Sequence, residues 1–399
     1  MEDLDRPLRI ALFSDSALPI LNGVSVSIDG MMQELRRQGH SVGLFTSGRR
    51  WHRDSDPNIY RFLATKTPWT PDYPLAFPPF YPLVRRFRKF NPDVVHTHTP
   101  WTLGLVGMRW AQSHHLPLVT TYHTHYDKYS HYIPFLPKSY TRYRIAKHTN
   151  YYYNAADHVI TPSEASLSWL QRHSVRKPVT VIPTGTFPTN ILDRADLRRK
   201  LQIQPHTKVL LYVGRVAQEK NLKMLFEAVM QIIKREPHTL LLVVGDGPYR
   251  DASADIVRDL GIADRVKFIG FVPRHEVDQY YVMSDLFIFS STTETQGLVV
   301  NEAMSYGLPA VVVEGGGASS SIEHGVSGFI VGNRSELLAE AAIQVLNDEI
   351  LYAKFSQKSR ETSQNYDITA MTREIVSVYQ SVLKCNERIR HPHHQLALR

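Results

Sequence analysis

Two glutamates, Glu294 and Glu302, stand eight positions apart in the stretch 292-TTETQGLVVNEAMSYG-307. A pair of carboxylates can act as general acid and base, or each carboxylate can accept hydrogen bonds from the hydroxyl groups of a ribose or a sugar. An apolar segment typical of a buried strand, 285-DLFIFSS-291, precedes them, and a helix is predicted from Gly297 onward. The two carboxylates would therefore flank the start of a helix at the carboxyl end of a strand, where open α/β sheets bind ligands.

The first turn of this predicted helix is a candidate anion site, because its backbone N–H groups have no partner within the helix. A glycine at that point lets a phosphate approach the backbone closely. The N–H groups concerned belong to Gly297, Leu298 and Val299. Since a carboxylate does not bind a phosphate, we expect Glu294 and Glu302 to hold hydroxyl groups on either side of it.

Two cations follow another predicted strand, in the stretch 214-GRVAQEKNL-222. Arg215 offers a planar fork of donors and Lys220 a point charge, so the pair suits a diphosphate beside a helix N-terminus. Two ordinary surface cations are the alternative, because Arg and Lys are common in exposed loops. Gly23 and Gly247 also follow predicted strands. Each marks either a plain turn or a place where a ligand lies against the backbone.

Histidines end two further predicted strands, in 96-HTH-98 and 123-HTHY-126. Alternate residues of a strand point to the same face, so both histidines of a pair would share one face. A zinc site is one interpretation, but no carboxylate or cysteine accompanies the histidines at metal spacing. We therefore favour a histidine that hydrogen-bonds a substrate at the end of a strand.

The elements that must position these residues are short apolar runs separated by helix-length segments. The predicted strands cover residues 9–15, 41–47, 93–99, 118–124, 158–163 and 179–185 in the first half, and 208–215, 239–247, 266–272, 285–291, 310–316 and 328–332 in the second. Near-continuous apolar strands indicate parallel sheets covered on both faces. Two such series predict two doubly wound, Rossmann-like α/β domains. The last helical stretch, from about residue 368, has no strand after it.

The positive charge of the chain is concentrated in its first half. Residues 1–180 contain 22 Lys and Arg against 13 Asp and Glu, a balance of +9, out of a net charge of +8 for the whole chain. Such a half attracts phosphate-rich partners, either a nucleic acid or an anionic membrane surface. A basic face that is simply solvated is the alternative. The absence of a long uncharged apolar run, the acidic N-terminus and the single cysteine, Cys385, together predict a cytosolic protein.

Two basic, aromatic stretches, 80-FYPLVRRFRKF-90 and 138-KSYTRYRIAKHTNYYY-153, supply much of this charge. The cations are Arg85, Arg86, Arg88 and Lys89 in the first stretch, and Lys138, Arg142, Arg144 and Lys147 in the second. The apolar residues of the first repeat at helical spacing, which is typical of a helix lying in a membrane interface. A helix that faces the core with a charged outer side and an RNA-binding surface are the alternatives.

Taken in order, these features resemble a family 4 glycosyltransferase of the GT-B architecture over nearly the whole chain. The stretches that carry the resemblance are the Gly23 loop, 214-GRVAQEKNL-222, 245-GDGPY-249, 269-IGFVP-273 and 294-ETQGLVVNEAMSYGLPAV-311, which contains the E-x7-E signature of that family. The resemblance implies two Rossmann-like domains facing a cleft. Residues 1–186, with a C-terminal helix of about 368–399 packing back, would form the acceptor side, and residues 187–367 the nucleotide-sugar side.

The resemblance also implies the reaction and the roles of the site residues. The reaction would be retaining transfer of a sugar from a nucleotide diphosphate, with no metal, no cofactor and no protein nucleophile. The catalytic group would be His123, Arg215, Lys220 and Glu294, with His123 near the sugar, Arg215 and Lys220 on the diphosphate and Glu294 on the hydroxyls of the donor sugar. The donor would also contact Gly23, Gly247, the backbone of Gly297, Leu298 and Val299, and, through its ribose, Glu302.

A narrower similarity concerns the acceptor. The run 121-TYHTHYDKYSHYIP-134, with 293-TETQGLVVNEA-303, looks like bacterial diacylglycerol glucosyltransferases and sulfoquinovosyl-diacylglycerol synthases. It implies transfer of glucose from UDP-glucose to diacylglycerol or a glycolipid at the inner face of the cell membrane. Tyr126 and the cations of the two basic stretches would then contact the membrane or the acceptor.

Three alternatives remain at this point. The donor could be GDP-mannose, or the acceptor a soluble sugar. The chain could be a non-catalytic sugar-nucleotide-binding module, although the joint presence of Arg215, Lys220, Glu294 and Glu302 argues against that. An RNA-binding protein is disfavoured, because the sequence contains no RNA-binding motif.

Overall fold

The computed structural model describes residues 6–20, 22–48, 52–65, 75–77, 81–125, 137–187 and 192–390. They belong to two compact units. The first comprises Met1–Gly185 and Ile368–Arg399, and the second Thr186–Asp367. Each unit is built on one large parallel sheet, so the prediction of two doubly wound α/β domains is confirmed.

The first unit has a seven-stranded sheet in the order β3-β2-β1-β6-β7-β8-β9. Its elements are β1 (Arg9–Ser14), α1 (Gly23–Arg37), β2 (Ser41–Ser47), β3 (Ile59–Phe62), β4 (Ala64–Thr65), β5 (Leu75–Ala76), α2 (Tyr81–Phe90), β6 (Val94–Thr97), α3 (Thr102–Ser113), β7 (Leu118–Thr121), α4 (Lys138–Asn154), β8 (His158–Thr161), α5 (Glu164–Arg172), β9 (Val179–Val181) and, from the C-terminus, α13 (Ile368–Arg390). The chain runs outward from β1 to β3 and then returns to β6 on the other side of β1. The carboxyl ends of β1 and β6 therefore form the topological switch point of this sheet.

Helices cover both faces of this sheet, as the apolar strands require. The side chains of Ile10 and Leu12 pack in a core shared with α1 and α13. Those of Ala11 and Phe13, which point the other way, pack in a second core with α2, α3 and α4. Alternation along a single strand thus assigns α1 and α13 to one face and most of the other helices to the opposite face.

The second unit has a six-stranded parallel sheet in the order β12-β11-β10-β13-β14-β15. Its elements are α6 (Arg194–Lys200), β10 (Lys208–Val213), α7 (Leu222–Arg235), β11 (Thr239–Val244), α8 (Arg250–Asp259), β12 (Val266–Gly270), α9 (Arg274–Met283), β13 (Leu286–Phe289), α10 (Leu298–Ser305), β14 (Ala310–Val313), β15 (Gly328–Val331), α11 (Ser335–Asn347) and α12 (Glu349–Ser363). The strand order reverses between β10 and β13. The switch point of this unit is therefore the place where the chain leaves those two strands.

All twelve predicted strands are present, and eleven of them end before their predicted carboxyl end, whereas β2 ends at Ser47 as predicted. The residues that follow the strands form loops, and these loops carry most of the candidate site residues. One strand of the sheet, β3, was missed, because its sequence 59-IYRF-62 includes an arginine and lies half-buried at the sheet edge. No helix within the described part of the chain is long and apolar enough to cross a membrane.

Candidate functional site

An ion pair joins the two loops at the switch point of the second unit. Lys220 lies in the short turn after β10, and its Nζ donates to Glu294 Oε1, in the loop after β13, at 2.5 Å. The side chains are 11% and 21% exposed, so the pair lies mostly out of solvent while keeping an open side. The sequence singled out both residues, but it did not predict that they would bind each other.

Hydrogen bonds from side-chain hydroxyls of the loop after β13 to backbone carbonyls of the loop after β10 hold this lysine in place. Ser290 Oγ donates to the carbonyl of Lys220 at 2.9 Å, and Thr293 Oγ1 donates to the carbonyl of Glu219 at 3.4 Å. The next residue, Asn221, adopts a left-handed conformation with φ of 58° and begins α7. The position of Lys220 is therefore set by contacts between the loops after β10 and β13, which are neighbours in the sheet, and not by α7.

Glu302 lies in α10 and has protein partners on both carboxylate oxygens. Tyr281 Oη donates to Oε2 at 2.7 Å, and a guanidinium nitrogen of Arg274 lies 3.1 Å from Oε1. Arg274 also donates to Asp278 at 3.0 Å. Burial raises the pKa of Glu302, and the adjacent Arg274 charge and Tyr281 hydroxyl oppose that rise. Each carboxylate oxygen has two lone pairs, so a ligand hydroxyl can still be accepted beside these partners.

The sequence did not identify Arg274 and Tyr281 as part of this network. Arg274 is the first residue of α9 and follows directly on 269-IGFVP-273, so its position at a strand's carboxyl end was an available signal. Tyr281 gave no such signal, because it lies near the end of α9, among buried residues of that helix.

Two glycines beside the Glu294 loop are required for close backbone packing. A Cβ on Gly297, whose φ is 79°, would lie 2.7 Å from the Cα of Ala318, and a Cβ on Gly317 would lie 2.0 Å from the carbonyl oxygen of Thr295. The N–H of Gly317 also donates to the carbonyl of Glu294 at 2.8 Å. The glycine-rich loop after β14 therefore packs closely against the Glu294 loop and supports its backbone.

Gly247 and Arg215 lie at neighbouring strand ends of the same sheet. A Cβ on Gly247 would lie 2.3 Å from the carbonyl oxygen of Val216, so protein packing alone requires glycine there. Its predicted contact with a donor stays a prediction. Arg215 is partly exposed directly after β10, and its carbonyl accepts a hydrogen bond from Tyr212 Oη at 3.2 Å. Leu298 and Val299 form the partly exposed first turn of α10.

Gly23 is the first residue of α1 in the first unit. The helix is capped by Asn22, whose side chain accepts from the N–H of Ser25 at 3.0 Å. A Cβ on Gly23 would meet no atom within 4 Å. Neither packing nor a left-handed backbone explains this glycine, which lies in the first turn of the helix, and its predicted contact with a donor stays a prediction. Open space at the first turn of the helix is what the ligand interpretation requires.

Histidines of β6 and of the loops after β6 and β7 form a cluster, in which His96 and His98 are buried and His123 is partly buried. His98 Nδ1 and His123 Nε2 lie 2.9 Å apart, and the rings of His96 and His98 are 4.1 Å apart. Burial lowers the pKa of His96 to about 3 and that of His123 to about 4. These imidazoles are therefore uncharged at neutral pH. Within the described residues there is no group of three or more His, Cys, Asp or Glu side chains arranged to hold a metal ion.

The basic helix α2 turns its apolar side to the protein core. Leu83 and Phe87 are buried, and the Phe87 ring packs 6.0 Å from that of Phe13 and 5.1 Å from that of Trp110. The interpretation of α2 as a helix that inserts its apolar side into lipid is therefore wrong. Its charged outer side, with Arg85, Arg86, Arg88 and Lys89, is exposed.

The second basic stretch forms α4, and it exposes aromatic as well as charged residues. Arg144 and Lys147 are exposed, as are Tyr140, Tyr143 and Tyr151, at 46%, 61% and 59%. The Arg144 guanidinium donates to Tyr140 Oη at 3.1 Å. Tyr126 lies outside the described residues, and so do the side chains of Lys138 and Arg142.

Comparison with protein families gives two matches that together cover most of the chain. Residues 21–188 match the model described as Glycosyltransferase Family 4, and residues 193–362 match the model described as Glycosyl transferases group 1. The first match lies in the first unit apart from its last residues, and the second lies within the second unit.

Two of the most similar characterised relatives have the same name. The alpha-monoglucosyldiacylglycerol synthase of Streptococcus pneumoniae is 33% identical over 320 residues, which are 76% of this chain and 70% of that protein. The alpha-monoglucosyldiacylglycerol synthase of Acholeplasma laidlawii is 27% identical over 395 residues, 96% of this chain and 99% of that protein.

Solved structures share the fold at lower identity. Sucrose-phosphate synthase from Thermosynechococcus elongatus superposes with a TM-score of 0.79 at 23% identity, over 94% of this chain and 99% of that one. HepE from Anabaena, solved with UDP and glucose, gives a TM-score of 0.73 at 23% identity, over 94% of this chain and the whole of that one. These neighbours confirm the predicted GT-B architecture.

Proposed function

Because this chain belongs to glycosyltransferase family 4, we propose that it moves glucose from UDP-glucose to a membrane lipid, either diacylglycerol or a glycolipid. The observation that carries the donor part is the Lys220–Glu294 pair at the switch point of the second unit. The names of the two synthases support the lipid part.

The Lys220–Glu294 pair suits the junction between the diphosphate and the sugar of such a donor. Lys220 Nζ has three N–H donors, so it can bind a phosphate oxygen while it donates to Glu294. The second carboxylate oxygen of Glu294 then accepts from a sugar hydroxyl. The diphosphate of the donor is anionic, and the sugar bonded to it is neutral. A cation and a hydroxyl acceptor held side by side match these two neighbouring groups.

The rest of the donor site follows from the neighbouring strand ends. Arg215 adds a second cation for the diphosphate, and the N–H groups of Gly297, Leu298 and Val299 supply the partial positive charge of a helix start. Glu302 accepts from the ribose, held in position by Arg274 and Tyr281. Gly23 and Gly247 are proposed to contact the donor through their backbone.

The proposed chemistry is retaining and needs neither a metal nor another cofactor. Negative charge develops on the diphosphate as it leaves, and Arg215 and Lys220 stabilise that charge. The leaving diphosphate assists deprotonation of the acceptor hydroxyl on the same face of the sugar. His123, uncharged at neutral pH, hydrogen-bonds the sugar.

The lipid acceptor requires contact with a membrane, for which we propose the charged and aromatic surface of the first unit. The α4 residues Tyr140, Arg144, Lys147 and Tyr151 combine cations with tyrosines, which favour the membrane–water interface. The cations of α2 add electrostatic attraction, although its apolar side is buried. Tyr126, Lys138 and Arg142 stay predicted members of this surface. The protein would then act peripherally, on the inner face of the cell membrane.

Nucleotide release tests the donor part of this proposal. UDP-glucose, UDP-galactose, UDP-N-acetylglucosamine and GDP-mannose are supplied in turn, with and without phosphatidylglycerol vesicles that contain diacylglycerol. We expect release from UDP-glucose that depends on the vesicles. Release from GDP-mannose alone would contradict the donor, and release without vesicles would contradict the lipid acceptor. A lack of release with every donor would support a non-catalytic sugar-nucleotide-binding module.

Vesicle sedimentation tests the membrane surface separately. Replacing Arg144 and Lys147 by Ser should release the protein from anionic vesicles. Replacing Arg258 and Lys267, two exposed cations of the second unit, removes the same charge and should leave binding unchanged. Equal loss in both double variants would mean that overall charge, and not this surface, governs binding.

A further inference from the structure

Tyr212 is a fully buried tyrosine near the end of β10, just before the turn that carries Arg215. Its ring stacks on that of Phe289 in β13, with the ring centroids 5.6 Å apart and the planes 17° from parallel. The two rings therefore bridge the neighbouring strands whose carboxyl ends form the switch point of the second unit. A buried tyrosine needs a hydrogen-bond partner for its hydroxyl group.

The partner of this hydroxyl lies in the turn that follows the strand. Tyr212 Oη donates to the carbonyl oxygen of Arg215 at 3.2 Å. A Cβ on Gly214 would lie 3.1 Å from the same hydroxyl oxygen, which is tighter than most contacts of a real Cβ. The turn from Tyr212 to Arg215 therefore passes closely around one hydroxyl group.

The peptide group that joins Arg215 to Val216 is held at both of its polar atoms. Its carbonyl accepts from Tyr212. Its N–H, which belongs to Val216, donates to the carbonyl of Asp246 at 3.0 Å. Asp246 lies in the loop after β11, the neighbour of β10 in the sheet. The backbone from which the Arg215 side chain extends cannot rotate without breaking one of these two hydrogen bonds.

The charges of the candidate donor site act on the hydroxyl of Tyr212. Burial raises the pKa of this tyrosine, the charge of Lys220 opposes the rise, and the charges of Glu294 and Glu219 add to it. The hydroxyl therefore lies within electrostatic reach of the Lys220–Glu294 pair. Because its pKa is raised, the hydroxyl keeps its proton at neutral pH and acts there as a hydrogen-bond donor.

We propose that Tyr212 is a positioning residue whose hydroxyl fixes the peptide after Arg215 and so holds the guanidinium of Arg215 in place for the leaving diphosphate. Tyr212 does not contact the donor itself, because it is fully buried. The effect on turnover rests on the proposed function, since that proposal assigns the diphosphate to Arg215. The hydrogen bond itself exists without a substrate.

The hydrogen bond is tested by NMR of the full-length protein, labelled with ¹³C at the arginine carbonyls and with ¹⁵N at the valines. The sequence contains two Arg–Val pairs, Arg215–Val216 and Arg265–Val266, so the spectrum has two carbonyl signals and the second is an internal reference. Arg265→Lys removes one signal and thereby assigns both. Tyr212→Phe removes one oxygen and keeps the stacked ring. It should move the Arg215 carbonyl signal upfield, because a hydrogen bond deshields a carbonyl carbon, and leave the Arg265 signal unchanged.

Tyr352→Phe is the matched control. Tyr352 of α12 interacts with the charge of Asp285, the residue before β13, and so lies toward the opposite end of the sheet from the donor site. This variant should leave both carbonyl signals unchanged. An unchanged Arg215 signal in Tyr212→Phe would overturn the proposal, and so would an equal change in Tyr352→Phe. A crystal structure of the wild-type protein is a second measurement that needs no variant, and a Tyr212 hydroxyl beyond hydrogen-bond distance of the Arg215 carbonyl would contradict the proposal.

A double-mutant cycle then tests whether Tyr212 acts through Arg215. Tyr212→Phe should lower kcat by about two- to tenfold, the effect of one hydrogen bond. In an Arg215→Ala background the same substitution should have little further effect, and an equal fold loss in both backgrounds would overturn the positioning role. If the wild-type protein turns over no donor but the Arg215 carbonyl signal responds, the proposed function fails and the hydrogen-bonded position of Arg215 stands. If turnover is normal and the cycle shows no coupling, the positioning role alone fails.

Discussion

Acid should destabilise the first unit, because His96 is buried in its uncharged form. Burial lowers the pKa of His96 from its ordinary value of 6.5 to about 3. As the pH falls, the unfolded chain binds a proton near pH 6.5, whereas the folded chain binds it only near pH 3. The stabilisation is therefore complete above pH 6.5 and is lost progressively as the pH falls toward 3.

The size of this loss follows from the two pKa values. Between pH 7.5 and pH 5.0 the linkage relation gives about 2 kcal/mol of lost stability from His96. His123, whose pKa is lowered to about 4, adds about 2 kcal/mol, and the pKa of His98 is shifted in the same direction. Asp15 acts in the opposite direction, because burial raises the pKa of its carboxyl to about 6. Its stabilisation is complete below pH 3.8 and is lost as the pH rises through 6, so acid restores about 1 kcal/mol.

Tryptophan fluorescence reports this effect selectively, because all five tryptophans precede residue 170 and so belong to the first unit. Urea unfolding is measured at pH 7.5 and pH 5.0 for the wild-type protein and for His96→Gln, whose amide can still hydrogen-bond. The loss of stability on acidification should be smaller by about 2 kcal/mol in the variant. His275→Gln changes a side chain that is 79% exposed and should behave as the wild type. An equal loss in wild type and His96→Gln would refute the reasoning.

Three further predictions concern the donor site. Lys220→Ala should lower kcat by about a hundredfold, because one cation facing the leaving diphosphate is removed. A near-normal rate of UDP release would exclude Lys220 from this role. Lys223→Ala, at an exposed lysine, is the control. Glu302→Gln should weaken UDP binding by about tenfold in calorimetry, through loss of charge-assisted hydrogen bonds; unchanged affinity would count against the ribose role. Gly317→Ala should destabilise the second unit by about 1–3 kcal/mol, since its Cβ would lie 2.0 Å from a carbonyl oxygen. Gly23→Ala should keep wild-type stability and slow turnover. Equal melting temperatures for both variants would contradict this contrast.

Much of the fold could be predicted from the sequence because buried parallel strands are nearly uniformly apolar. The run 239-TLLLVV-244, for example, is fully buried as β11. The edge strand β3 lacks such a run, since its sequence 59-IYRF-62 contains an arginine and three of its four residues are only partly buried. The same limit applies to α2, whose pattern of Leu83 and Phe87 fits a core-facing and a membrane-facing helix equally well.

The candidate site was predicted as a set of residue types at strand ends, but its pairings were not. Lys220 and Glu294 are 74 residues apart, and their contact depends on β10 and β13 being neighbours in the sheet. Strand order is set by the packing of the whole unit, and no local pattern encodes it. For the same reason the role of Gly317, which packs against the Glu294 loop, was visible only in the structure.

Transfer of radiolabelled glucose tests the central claim most directly. The protein is incubated with labelled UDP-glucose and phosphatidylglycerol vesicles containing diacylglycerol, and the lipid phase is extracted and counted. We expect label in a glycolipid with the wild-type protein and at least about a hundredfold less with Glu294→Gln, which leaves Lys220 without its carboxylate partner. Absence of label from the lipid phase with the wild-type protein, or equal labelling by the two proteins, would contradict the account.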